Sequence, residues 1–111
     1  MTTPDRLPRE ERAALQRAER RTAILSAGLF LAGRENYKAI TRDGVADVAG
    51  VAAGSVNHEF GTIEDLRRAV VAEAIAQECL PVIAQAVVDG HPLTAELDPD
   101  LKKRALYSLA V

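Results

Sequence analysis

The side chains able to do covalent chemistry are few. His58 and His91 are the two histidines, Cys79 is the single cysteine, and Ser55 stands three residues before His58. A serine and a histidine so spaced share one face of a helix, but a nucleophile also needs an acid that orients its base, and a surface helix offers none. Neither histidine has a cysteine or carboxylate at a zinc-ligand spacing. Cys79 lies in an Ala- and Ile-rich helical segment, where a thiol is buried and inert. No GxxxxGK phosphate loop is present. The expectation is a protein that is not an enzyme and holds neither metal nor cofactor.

A second set of side chains works through hydrogen bonds and charge alone: Thr41, Arg42, Ser55, Asn57 and His58, with Lys38 just upstream. They fall in or beside Thr41–Phe60, TRDGVADVAGVAAGSVNHEF, whose pattern dictates two short helices. Thr41 can accept a backbone N–H bond as the first cap. Val45, Ala46 and Ala49 follow at the spacing of a buried helical face. Gly50 suits the left-handed exit from that helix, and Val51 plugs the core from the turn. The second helix starts at Ala52 or Ala53 and turns Val56 and Phe60 inward, leaving Ser55, Asn57, His58 and Glu59 to face elsewhere. Two short helices across a Gly-containing turn form a helix-turn-helix.

The wider pattern is more specific. It runs through Ile24-Leu25, Ala27 and Tyr37, then Ile40-Thr41-Arg42, Val45-Ala46 and Ala49-Gly50-Val51. It continues with Gly54-Ser55-Val56, Phe60, and Thr62 followed by Glu64-Asp65-Leu66. Over roughly residues 20–70 the sequence resembles the N-terminal DNA-binding domain of the TetR family of transcriptional repressors, and its short length is similar to that of small plasmid- and phage-borne repressors of the KorC type. It departs from the family at Ala52 (usually Ser or Thr), Asn57 (often Tyr), Ile63 (usually Lys), Ala32 (commonly Phe) and Asn36 (commonly Gly). Asn is the next-best residue after Gly at a left-handed helix end.

The resemblance implies an all-α fold: a three-helix helix-turn-helix head followed by a short helical dimerisation region. It divides the chain into 1–61, arm and DNA-binding domain, and 62–111, dimerisation region. It implies double-stranded DNA as partner and Thr41, Arg42, Ala53, Gly54, Ser55, Asn57, His58 and Lys38 as the contact set. Arg42 can take a phosphate or a guanine edge. Thr41 is a helix cap, a DNA contact or both. Gly54 costs about 0.8–1 kcal/mol of helix propensity relative to Ala, which fits either a close backbone approach or a tolerated glycine. Full-length relatives enclose an inducer in a larger body; about fifty residues follow Gly61, so no small-molecule ligand is expected. The alternative is a small helical interaction module, an anti-repressor or cofactor protein, that keeps the fold without reading DNA.

Composition is consistent with these readings. Aromatics make up 4% while Ala, Leu and Val dominate, as in small-residue helix packing. One cysteine excludes an intramolecular disulfide and fits a reducing compartment. No apolar run approaches a membrane span and no signal core opens the chain, so a cytoplasmic protein without a membrane partner is expected. The net charge of −2 hides an asymmetry: residues 1–45 hold nine Lys/Arg against six acids, the rest five against ten. A basic end on an acidic body can present a positive face to phosphate.

The remaining elements follow from local signals. Met1–Pro8, with two prolines, is read as a flexible arm. A long helix runs from about Arg9 to Arg34–Asn36 with an apolar stripe at Leu15, Ala18, Leu25, Leu29 and Ala32. Tyr37 is a core or rim aromatic. Thr62 to Asp65 has capping-box spacing, opening a helix through Leu66, Val70, Ala74 and Ile75 that extends toward Val88. Pro81 must break or kink it near Glu78–Leu80. Asp89-Gly90-His91-Pro92 is a loop, and Asp98-Pro99 starts a last helix over about Pro99–Leu109. That last helix and the one from Thr62 to Val88 carry enough apolar surface to predict a homodimer.

Overall fold

A computed structural model describes residues 7–110. The expected arm at residues 1–8 therefore lies mostly outside the described residues. Six helices occur in the order α1 (Arg9–Arg34), α2 (Arg42–Ala49), α3 (Ala53–Phe60), α4 (Ile63–Ala76), α5 (Leu80–Val88) and α6 (Pro99–Ser108), with a 3-10 turn at Pro92–Thr94 before α6. The described residues contain no strand, so the fold is all-α. No helix among them is long and apolar enough to cross a membrane.

Each helix boundary has a local cause. Glu10 and Glu11 in the first turn of α1 and Arg34 in its last complement the helix dipole. Thr41 Oγ1 accepts from Gly44 N at 3.0 Å and starts α2. Gly50, at φ 72°, ends it, and Val51 N returns to Ala46 O at 3.0 Å. That left-handed residue lets the chain reverse within three residues and start α3. Ala52 precedes α3 with no side-chain cap. At α4 the box closes in both directions: Asp65 N donates to Thr62 Oγ1 at 3.1 Å, and Thr62 N donates to Asp65 Oδ2 at 3.0 Å. Asp98 Oδ2 accepts from Leu101 N at 3.2 Å and opens α6.

The break between α4 and α5 falls at Gln77–Cys79, close to the expected place. Pro81 has no N–H to return to Gln77 O and would crowd that carbonyl. The chain instead passes through Glu78 at φ 53°, and Cys79 N closes on Ala74 O at 2.8 Å. Cys79 is thus not inside a helix, as the sequence reading has it. It is the residue before α5 and is half-buried.

The stripe predicted on α1 is also corrected. The buried residues are Ile24, Ala27, Gly28 and Ala32; Leu15, Leu25 and Leu29 are half-buried and Ala18 is exposed. The front half of α1 reaches past the core, so its apolar residues have nothing to pack against. One apolar cluster runs from Ile24 through Ile40, Val45, Val56, Leu66, Val70 and Ile83 to Ala105. The helix-turn-helix and the helices behind it share that core.

A polar junction joins the two ends of the sequence. Tyr37 is 4% exposed. Its backbone N donates to Gln85 Oε1 at 2.9 Å and its hydroxyl donates to Asp89 Oδ2 at 2.6 Å. Gln85 Nε2 donates to Ala32 O at 2.8 Å, satisfying a carbonyl at the end of α1. Lys38 Nζ donates to Asp89 Oδ1 at 2.6 Å. His91 meets the Tyr37 ring edge-on at 5.7 Å, and its Nδ1 accepts from Leu93 N at 3.1 Å, which requires a neutral ring on that side. Burial, then the Arg68 charge, hold the His91 pKa below its ordinary value and favour that state.

This junction gives a pH prediction. Burial first, then the hydrogen bond and charge of Asp89, push the Tyr37 hydroxyl from 10.0 up to about 12. A raised folded pKa means the fold binds this proton more tightly than the unfolded chain does, so the stabilisation is complete below pH 10 and is lost as pH rises from 10 through about 12. Ultraviolet titration should show one of the two tyrosines ionising only toward pH 12, and Tyr37→Phe should remove both that step and this part of the alkaline destabilisation.

Candidate nucleic-acid interface

The helix-turn-helix presents a narrow exposed face. On α3, Val56 is 2% exposed, and Ala53 and Phe60 pack half-buried against the core. The opposite side carries Gly54, Asn57 and His58, all exposed. At 100° per residue these three fall on one arc, with Ser55 at its margin and only half-buried. The outer side of α3 is therefore Gly54-Asn57-His58, flanked by Ser55. Ala53 belongs to the packed side, half-buried against the apolar cluster.

Arg42 and Thr41, both exposed at the start of α2, lie on the same flank as Asn57. An open groove of about 580 Å³ is lined by Thr41, Arg42, Asn57, Gly61, Thr62 and Asp65, with Asp43 and Ile63 completing it. The first turns of α2 and α4 both open onto this groove, and helix starts favour anions through their free N–H groups and dipoles. Arg42 Nε lies 3.7 Å from Asp43 Oδ1, and both side chains are largely exposed. A pair so loose leaves the guanidinium able to reach outward. Asp65, beside it, is held below the usual carboxylate range by its hydrogen bonds with Thr62, backbone first. Its charge is engaged in the α4 cap.

Lys38 departs from this group. Its ammonium is paired with Asp89 after α5, so it serves the junction rather than the groove. Two residues outside the predicted contact set buttress the far end of α3. Arg20 Nη1 donates to Glu59 Oε1 at 3.3 Å, Arg21 Nη1 donates to Glu59 O at 3.4 Å, and the Arg21 guanidinium lies 4.3 Å above the Phe60 ring. The last is a cation–π contact. The sequence shows the two arginines, but a partner about forty residues away leaves no local signal. Arg67 acts similarly, donating from Nη2 to Ile40 O at 3.0 Å and tying α4 to the segment that leads into α2.

Gly54 has a further property. A Cβ built there would meet nothing within 4 Å beyond its chain neighbours and the backbone of its own helix. No internal contact excludes a side chain, so the bare backbone is presented outward.

No curated protein and no solved structure matches the chain. Residues 24–70 match the profile of the bacterial regulatory proteins of the tetR family. That span begins within α1, contains α2 and α3 whole, and ends inside α4. Residues 24–70 are therefore similar to the helix-turn-helix segment of the bacterial regulatory proteins of the tetR family.

Proposed function

We propose that the protein is a sequence-specific repressor that binds an inverted-repeat operator as a homodimer, through α2 and the outer side of α3. The observation that carries this reading is the juxtaposition of Gly54, Asn57 and His58 with Arg42 at a groove onto which two helix starts open. Asn57 and His58 supply hydrogen bonds to base edges or phosphate, Arg42 a guanine fork or a phosphate contact, and Thr41 and Ser55 edge contacts. Ala53 takes part through its backbone only. In this reading residues 1–61 hold the DNA-binding part and 62–111 the dimerisation part, working as one body through the shared core.

The dimer surface is α6. Most apolar side chains of α4 and α5, among them Leu66, Val70, Val71, Val82 and Ile83, are buried within the subunit. The interface predicted from their composition is narrowed accordingly. Phe30, Val48 and Val88 are exposed singly on α1, α2 and α5, whereas α6 exposes a group. Pro99, Lys102, Lys103, Leu106, Tyr107 and Ala110 line one concavity, and Leu106, Tyr107 and Leu109 are 40%, 64% and 57% exposed. The stems of Lys102 and Lys103 extend its apolar area. To read two half-sites, a two-fold pairing there must set the recognition helices about 34–36 Å apart, or a multiple of that. With the rear helices filled by their own side chains, repression is relieved without a small-molecule inducer held inside them.

Gly54→Ala separates stability from recognition. The substitution should raise thermal stability modestly, since Ala exceeds Gly in helix propensity, Gly54 lies in the first turn of α3 and the site has room for the methyl. Operator affinity should fall, because the methyl stands between backbone and duplex. Calorimetry and fluorescence anisotropy on the same variant check both signs, and affinity unchanged or improved contradicts a close approach. Arg42→Ala should weaken binding by about 1–3 kcal/mol with relaxed preference at one base pair if it reads a base. It should instead lower the salt slope by about one unit across all sequences if it holds a phosphate.

A further inference from the structure

Residues 9–19 of α1 bury no side chain within the described fold. The helix is 26 residues long, about 39 Å at 1.5 Å per residue, and its buried residues begin only at Ile24. From Pro8 to Ala23 every residue is exposed or half-buried. Residues 9–21 carry Arg9, Arg12, Arg17, Arg20 and Arg21 against Glu10, Glu11 and Glu19. None of Arg9, Arg12 and Arg17 takes part in an ion pair among the described residues.

The direction of this half-helix is fixed by the recognition helix. Arg20 and Arg21 clasp Glu59 and Phe60 at the end of α3, so residues 9–19 leave the head beside that end. Arg9, Arg12 and Gln16 precede Arg20 by eleven, eight and four residues, spacings that return to one face of a helix. Arg9, Arg12 and Gln16 line a single shallow depression with Ala13. Arg9 and Arg12 therefore face the side on which Arg20 meets α3, while residues 9–19 as a whole balance three arginines with three glutamates.

We propose that residues 9–19 form a second DNA-contacting element, a helical arm whose Arg9, Arg12 and Arg17 neutralise backbone phosphates of the duplex flanking the segment read by α3. The inference rests on α3 being the recognition helix. The arm extends about 16 Å beyond Arg20, close to half of a duplex turn of about 34 Å. Three flexible guanidiniums facing a surface with one negative charge per roughly 1.7 Å of axis need no base-specific register. The arm should add affinity and lengthen the protected site without adding sequence preference.

The test uses the full chain carrying Arg9→Gln, Arg12→Gln and Arg17→Gln together, and a duplex selected from random sequences with the unsubstituted protein. Hydroxyl-radical footprints and salt titrations of binding are compared. The log–log salt slope should fall by about 2–3 units, at roughly 0.9 per phosphate contact, equally on selected and unrelated duplexes. The footprint should shorten at its outer edges, while the thermal melt stays unchanged. Trimming the flanks of the duplex should weaken the unsubstituted protein but not the variant. An unchanged slope and footprint in the folded variant would overturn the arm. Failure of the unsubstituted protein to select or protect any duplex would overturn the DNA-binding reading itself.

Discussion

A chain carrying Leu106→Asp and Tyr107→Asp is expected to sediment as a monomer and to bind its operator at least about a hundredfold more weakly. The two side chains are the exposed centre of the α6 stripe, and the opposite side of that helix packs Ala105, fully buried, and Leu101 against the core. Replacing surface groups leaves that packing intact, so the melting temperature should change little. In the dimer the substitutions place four carboxylates in a desolvated patch, where unpaired charge is strongly unfavourable. The operator loss follows from linkage of two half-sites: a second contact held by the same molecule multiplies affinity by about 10²–10⁴, and a monomer forfeits that factor. A variant that stays dimeric, or an unsubstituted protein that is monomeric at micromolar concentration, rules out α6 as the interface.

Gly61→Ala should give a large loss of stability from a single methyl group. Gly61 sits between α3 and α4 at φ 88° and ψ −127°, a mirror-image extended conformation that residues with a Cβ rarely adopt. The added Cβ would also lie 2.7 Å from Asp65 Oδ2, the oxygen that accepts from Thr62 N in the capping box. Backbone strain and a damaged cap together should remove about 2–4 kcal/mol. For a domain of this size that lowers Tm on the order of 10 °C or more. Operator binding should weaken as well, because the same residue sets the angle between recognition helix and α4 and lines the groove beside Asn57. Differential scanning calorimetry decides the point. A Tm within about 2 °C of the parent, well under 1 kcal/mol at this chain length, would show that the backbone relaxes without strain.

The sequence is legible where the physics is local. Thr41, Gly50, the Thr62–Asp65 box and Asp98-Pro99 each mark a boundary within four residues, and Pro81 marks the break after α4 by the bond it cannot make. The resemblance at residues 20–70 and the all-α class agree with the matched profile and the helices observed. Side-chain destinations far along the chain are not legible. Nothing near Tyr37 or Lys38 announces Asp89, with which both side chains pair in the structure. Nothing near Arg20 or Arg21 announces α3. The apolar phase of α1 is misread because Leu15 and Ala18 have the right spacing but lie beyond the reach of the core. The exposure of Arg42, Asn57 and His58 agrees with the helical period, whereas Ser55 and Ala53, read as part of the same face, are half-buried in the structure.

The central claim, that the Arg42 and Gly54-Asn57-His58 face reads DNA sequence, is tested most directly by anisotropy titration. Purified protein, intact and as Asn57→Ala and His58→Ala, is titrated at one fixed salt concentration against a duplex from upstream of its own coding sequence and against the same bases scrambled. The intact protein should prefer the natural duplex by about 10³-fold or more, the range of specific over non-specific binding. Each variant should lose preference while its thermal melt is unchanged, since neither residue is buried. Equal affinity of the intact protein for the two duplexes, or variants that stay folded and keep the full preference, would contradict the account and favour a helical module that binds protein instead.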